Sequence, residues 1–133
     1  MLPENLAEAH NWLTLARQDL RTAEFLLEGG EEYSRSTAFH SQQVVEKALK
    51  AYLAFRNQPF PQTHDLAQLR NLCQAIEPEF AYLGADTIVL TTYAVDVRYP
   101  GSGSPPTQAE AQQSVEIARQ AYDFVASRIP SDS

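Results

Sequence analysis

The chain has 133 residues, 44% of them hydrophobic and 20% charged, enough length and apolar content for one domain whose core needs no metal or disulfide staple. A formal net charge of −7 and a pI near 4.8 exclude a broad basic face, and with it a duplex-DNA-binding role. The one cysteine excludes an internal disulfide, no apolar run is long enough to span a bilayer, and the opening Met-Leu-Pro-Glu-Asn has neither the basic start nor the apolar stretch of a secretory signal, so we expect a cytoplasmic protein.

Asn5-Leu-Ala-Glu8 reads as a capping box and Gly29-Gly30 as a stop, so a first helix is expected over 5–28. Its apolar positions Leu6, Ala9, Leu13, Ala16, Leu20, Ala23 and Leu27 alternate spacings of three and four, as in a bundle seam. A second helix is expected over 34–57, stopped by Pro59 and Pro61. Ala38, Val45, Ala48, Tyr52 and Phe55 form one face of it. Phe39, Leu49 and Leu53 widen that face, the mark of a helix packed on more than one neighbour. Between the apolar rows runs a polar stripe of His40, Gln43, Lys47 and Lys50, which includes the only two lysines of the chain. Its structural reading is a solvated or interfacial face with Glu46 and Lys50 as an i, i+4 pair.

Asp65 is placed to cap a third helix over 65–77, with Gln68 three residues on and Pro78 at its end. His64 is read as helping that cap, and Cys73, beside Leu69, Leu72 and Ile76, as an inert core thiol. A fourth helix is expected over 80–98 with Leu83, Leu90, Ala94 and Val97 inward. Gly84 and the β-branched Thr91, Thr92 and Val95 weaken it, but no proline interrupts it. Pro100-Gly-Ser-Gly-Ser-Pro-Pro106 is a loop. Thr107-Gln-Ala-Glu110 is a second capping box, opening a fifth helix over 107–128 with Val115, Ala118, Tyr122, Val125 and Ile129 inward. The expected fold is all-α, an antiparallel up-down bundle of four to five helices in a single domain over 1–133. Trp12, Phe25, Phe39, Phe55 and Phe124 exceed what one seam can hold, so self-association as a homodimer is also expected.

The run Phe39-His-Ser-Gln-Gln-Val-Val-Glu-Lys-Ala-Leu-Lys50 resembles the second helix of HEPN domains. Thr63-His-Asp-Leu66 is similar to the family's entry to its third helix and Val97-Arg-Tyr-Pro100 to the end of its fourth. The opening helix, with Trp12, Ala16, Asp19, Leu20 and Ala23, also fits. The resemblance spans roughly residues 9 to 128. It implies a HEPN-like bundle of the kind paired with minimal nucleotidyltransferases in toxin–antitoxin-like units: a homodimer that docks the nucleotidyltransferase and holds a nucleotide or accepts its product. Tyr99 is the candidate for the modified group. The alternatives are a HEPN ribonuclease toxin and a purely structural dimer.

HEPN ribonucleases resembling this chain use an Arg followed, after a short gap, by a His that acts as acid or base. Arg98 matches the Arg by position, but the histidines are His10, His40 and His64, so no His follows it. We therefore assign no catalytic residue. Arg35 and His40 match the spacing formally, at the wrong place for the motif. An acidic chain can hold a nucleotide only where cations are concentrated. The candidate nucleotide- or anion-binding residues are accordingly Arg98, Tyr99, His40, Gln43 and Lys47. Arg98 also reads as a helix-end cation. No His/Cys/carboxylate spacing reads as a metal site, and no cofactor is expected.

Overall fold

A computed structural model describes residues 2–95 and 105–131, with the side chains of 93–95 excepted. Helix α1 (Glu4–Glu28) buries Ala9, Leu13, Ala16, Leu20 and Ala23, the middle of the expected seam. Leu6 and Leu27 pack against the core from its ends. The expected capping box is absent. Pro3 is the N-cap, and the Asn5 amide instead donates to the Phe55 carbonyl oxygen at 2.7 Å, tying the start of α1 to the end of the next helix. The double glycine does end α1. Gly30 sits at φ 98°, which favours glycine. A Cβ on Gly29 would lie 2.6 Å from the Tyr33 ring.

After a short 3₁₀ turn (Glu31–Tyr33), α2 (Ser34–Phe55) is the buried centre of the bundle and packs on every other α-helix. It stops at Phe55 and not at 57. Asn57 adopts the left-handed conformation (φ 56°), and the Gln58 N–H reaches back to the Leu53 carbonyl at 2.9 Å. The prolines lie beyond an end that is already made.

Helix α3 (Leu66–Ile76) is capped as expected, the Asp65 carboxylate accepting the Gln68 N–H at 3.1 Å. It runs obliquely in the same sense as α2: His64 lies level with Glu46, Cys73 with Leu49 and Glu77 with Tyr52. Burial pushes the Cys73 thiol up to about 12, which makes it inert. The expected fourth helix is two pieces. Pro78 starts a 3₁₀ turn (Pro78–Leu83), and α4 (Gly84–Val95) follows. A 3₁₀ turn repeats every three residues, so it aims Phe80 and Leu83 together into the core, where both are fully buried. In α4 the hydroxyls of Thr91 and Thr92 donate to the carbonyls of Thr87 and Ile88, so these β-branched residues are accommodated. Leu90 is inward as expected. Ala94 as a side chain, and Val97, lie outside what is described.

Helix α5 (Gln108–Ala126) opens with both halves of the Thr107/Glu110 capping box. It starts beside α2, where the Ser34 hydroxyl donates to the Pro106 carbonyl at 2.6 Å, and ends beside the start of α1, where His10 meets the Pro130 carbonyl at 2.8 Å. It is thus parallel to α2 and antiparallel to α1. Tyr52, Phe80 and Phe124 form an aromatic chain across one end, with centroids 4.6 and 5.2 Å apart. Among the described residues there is no strand, and no helix is long and apolar enough to cross a membrane. Of the five aromatic residues expected to overfill the core, Trp12, Phe55 and Phe124 pack against it, while Phe25 is 76% and Phe39 43% exposed.

Leu49 on α2 is fully buried. Leu49→Ala is expected to cost about 2–5 kcal/mol by urea unfolding. A cost under about 1 kcal/mol would mean that α2 is not the centre of the core.

Candidate functional site

The polar stripe of α2 faces two different neighbours. His40 and Lys47 are two turns apart and both reach one carboxylate on α1. His40 Nδ1 lies 2.8 Å from Asp19 Oδ1, and Lys47 Nζ donates to Asp19 Oδ2 at 2.5 Å. Asp19 is mostly buried and the two basic groups stand at the rim. Gln43 lies between them on the same face, half-buried. A carboxylate only accepts, so the His40 contact puts a proton on Nδ1 and leaves Nε2 as the outward atom. Phe39 stacks edge-on to the His40 ring at 5.4 Å.

Lys50 belongs elsewhere. Glu46 is 3% exposed, and its two oxygens are taken by Lys50 Nζ at 3.1 Å and His64 Nδ1 at 2.9 Å. Lys50 Nζ also sits 5.4 Å from the Trp12 ring centroid. The expected i, i+4 pair exists, but it is buried and not on a solvated or interfacial face. Its position follows from helix geometry: three residues advance the side chain by about 300°, so Lys50 turns away from the line of His40 and Lys47. His64 does not cap α3. The cap is Asp65, with the Thr63 hydroxyl accepting the Asp65 N–H at 3.1 Å, and His64 is the second partner of Glu46. A carboxylate this buried needs both neighbours, since unpaired burial of a charge is costly.

A third carboxylate, Glu77, closes the far end of the bundle. It accepts from the Tyr52 hydroxyl at 2.7 Å and from Arg128 Nε at 2.6 Å. Arg128 also bonds Glu79 and lies over the Phe124 ring at 3.6 Å, and Arg56 donates to the Tyr52 oxygen at 2.8 Å. The Tyr52 hydrogen bond, aided by Arg128 and Arg56 and opposed by burial, holds the Glu77 carboxyl below its usual range. Burial, then the Glu77 contact, raises the Tyr52 hydroxyl.

Arg98 and Tyr99 lie outside the described residues, so His40, Gln43 and Lys47 are the candidate residues whose placement is visible. Arg35 and His40 do not converge. Five residues turn an α-helix by about 140° beyond a full turn, and His40 is held on the α1 side by Asp19. Among the described residues no group of His, Cys, Asp and Glu could hold a metal ion. Sequence reasoning missed Asp19 and Glu77 as hubs. The available signal for Asp19 was an acid at the edge of an otherwise Leu/Ala seam; Glu77, beside Pro78, offered none.

The HEPN domain model matches residues 9–129, and the chain belongs to that family. Its fold is similar to the crystal structure of TT1696 from Thermus thermophilus, at 28% identity and a TM-score of 0.72, covering 91% of this chain and 98% of that one. It is also similar to ST0689, an archaeal HEPN homologue, at 24% identity and a TM-score of 0.72, covering 92% and 98% respectively. No curated protein matches the chain.

Two consequences of the ion clusters are measurable. Lys50→Met leaves Glu46 buried with one partner and is expected to cost about 3–5 kcal/mol, most of it regained in Lys50→Met/Glu46→Gln. A single-variant cost below about 1 kcal/mol by urea unfolding would contradict the burial of the pair. The depressed Glu77 group contributes stability that is present above its unfolded value, about 4.3, and lost as pH falls through its folded value. Glu77→Gln should therefore flatten the fall in unfolding free energy between about pH 7 and about pH 3. An unchanged slope would remove Glu77 from the acid response.

Proposed function

We propose that this HEPN protein is a non-catalytic binding and interaction module. It works as a homodimer beside a minimal nucleotidyltransferase in a two-component, toxin–antitoxin-like unit, and it meets a nucleotide phosphate at the rim of α2. The observation that carries the binding reading is the Asp19, His40 and Lys47 cluster. Lys47 spends one of its three N–H donors on Asp19. With His40 protonated, the three groups sum to one positive charge, at the surface of a chain whose net charge is −7. A phosphate would take the remaining Lys47 donors, His40 Nε2–H and the Gln43 amide, with Arg98 and Tyr99 as the further residues assigned from the sequence. The nucleotidyltransferase partner rests on the resemblance of the α2 wording and on family membership.

The non-catalytic reading is supported by the divergence of Arg35 from His40 and by the want of any His after Arg98. One observation favours ribonuclease chemistry instead. Asp19 orients His40 so that neutral Nε2 points outward as a base.

Charge-assisted bonds of about 1.5–3 kcal/mol each give weak, micromolar-to-millimolar binding that falls with salt. Calorimetry with ATP and AMP is expected to show such binding by the wild type and its loss in Lys47→Ala and Arg98→Ala. No binding by the wild type, or full binding by both variants, removes the nucleotide site. Incubation with total cellular RNA is expected to give no cleavage. Cleavage by the wild type that disappears in His40→Ala would establish the ribonuclease reading in its place.

A further inference from the structure

A cleft of about 490 Å³ opens between the second 3₁₀ turn and the end of α5, at the Glu77 end of the bundle and away from the Asp19 cluster. Its walls are Tyr82, Gln120, Asp123, Phe124, Ser127 and Arg128. The five from the end of α5 stand at spacings of three, four, seven and eight, one face of a helix. The floor is aromatic. Tyr82 stacks on Phe124 with centroids 5.5 Å apart and planes 16° from parallel, yet 66% of Tyr82 stays exposed. Phe80 and Leu83, its companions in the turn, are fully buried. Contact with Phe124 holds the tyrosine ring in place, so a flat face is offered to solvent with little ordering left to do.

The polar groups around that face are short of donors. Arg128 is committed: its Nε donates to Glu77, and its Nη groups donate to Glu79, the Phe124 carbonyl oxygen and the Ser127 hydroxyl. The Gln120 amide nitrogen donates to Glu116 at 3.3 Å, and the Ser127 hydroxyl donates to the Phe124 carbonyl oxygen at 2.8 Å. Acceptors remain. Among the described residues the Asp123 carboxylate is in no ion pair, and the Gln120 amide oxygen has no donor. Further acids flank Tyr82, with Glu79 three residues before it and Asp86 four after. Against Glu77, Glu79, Asp86 and Asp123 stand only Arg128 and, on the Tyr52 hydroxyl, Arg56. Such a place repels phosphate and favours a cation.

We propose that this cleft takes the guanidinium of an arginine side chain presented by a basic segment of another protein. A guanidinium is planar, so it lies flat on the Tyr82 ring, and its fork of N–H donors meets the Asp123 carboxylate in two parallel bonds with a further donor for Gln120. A lysine ammonium is a point charge that uses neither the plane nor the fork. The same stacking already occurs within the molecule, where Arg128 lies over Phe124 at 3.6 Å. A polypeptide source follows from shape and charge. The cleft is open to solvent and does not wrap a free small molecule, while a chain of net charge −7 draws in a basic segment and lets neighbouring residues add contacts.

The test is an amide NMR titration of the full, isotope-labelled chain at low salt with the peptide acetyl-Gly-Arg-Gly-Arg-Gly-amide. Saturable shifts are expected at Tyr82, Gln120, Asp123 and Ser127, with a dissociation constant of about 0.1–1 mM. Tyr82→Ala and Asp123→Asn, both at exposed positions and expected to keep the helical circular dichroism spectrum, should each weaken binding about fivefold or more. Tyr82→Phe keeps the ring, and Glu32→Gln removes an equal charge beside the start of α2, at the other end of the bundle; both should bind as the wild type does. The lysine and citrulline versions of the peptide, and free arginine amide, should each bind about fivefold more weakly or worse. No saturable binding by the wild type, shifts confined to other residues, or full binding by Tyr82→Ala or by Asp123→Asn overturns the site. Equal binding of the lysine or citrulline peptide overturns the guanidinium as its ligand, and equal binding of free arginine amide overturns the protein partner.

Discussion

The rest of the structure depends on the burial of α2. Fifteen of its 22 residues are buried, and they include Gln42, Glu46 and Lys50 alongside the apolar set. A helix enclosed on nearly every side cannot present an unpaired charge without a cost that would rival the stability of the whole domain. Its neighbours must therefore bring partners of the right sign to the right level. That requirement explains features the apolar packing does not. An acid interrupts the edge of the α1 seam at Asp19, and the loop entering α3 carries His64 to Glu46.

The outcome is a repeated device. Asp19, Glu46 and Glu77 each accept two donors, and each joins α2 or its aromatic end to another part of the chain. Two donors per carboxylate satisfy both oxygens, so the burial cost of each acid is offset locally. The three hubs differ in what they leave over. At Glu46 both partners serve the one enclosed acid. At Glu77 a tyrosine and an arginine complete a network sealed by Phe124. At Asp19 the partners stand at the rim, and among the described residues Lys47 keeps two donors without an acceptor, the opening that the proposed phosphate contact uses.

Charge also shapes what the outside of the molecule can do. With 17 acids against 10 lysines and arginines, of which Lys47, Lys50 and Arg128 are held by the hubs, the surface as a whole repels phosphate and a second copy alike. The proposed phosphate contact falls at the exception, the small cationic rim of α2.

Much of this was legible from residues close together in the chain. The α1 seam, the Asp65 cap, the Thr107/Glu110 box and the inward positions of α5 involve spacings of three or four, where helix geometry alone sets the neighbours. The HEPN wording of α2 is likewise local, and it led to the right family. What tertiary structure decided was the partner of every group whose contact lies far along the chain. Asn5 pairs with Phe55 instead of capping its own helix, and His64 pairs with Glu46, 18 residues away, instead of capping α3. Pro78 opens a 3₁₀ turn because Phe80 and Leu83 must both enter a core that other helices build. The stripe that reads as one surface in sequence divides between α1 and the α3 entry because α2 is flanked by both. Local geometry specifies which way a side chain leaves its helix. Only the docking of the other helices decides whether it meets a carboxylate, a core or solvent.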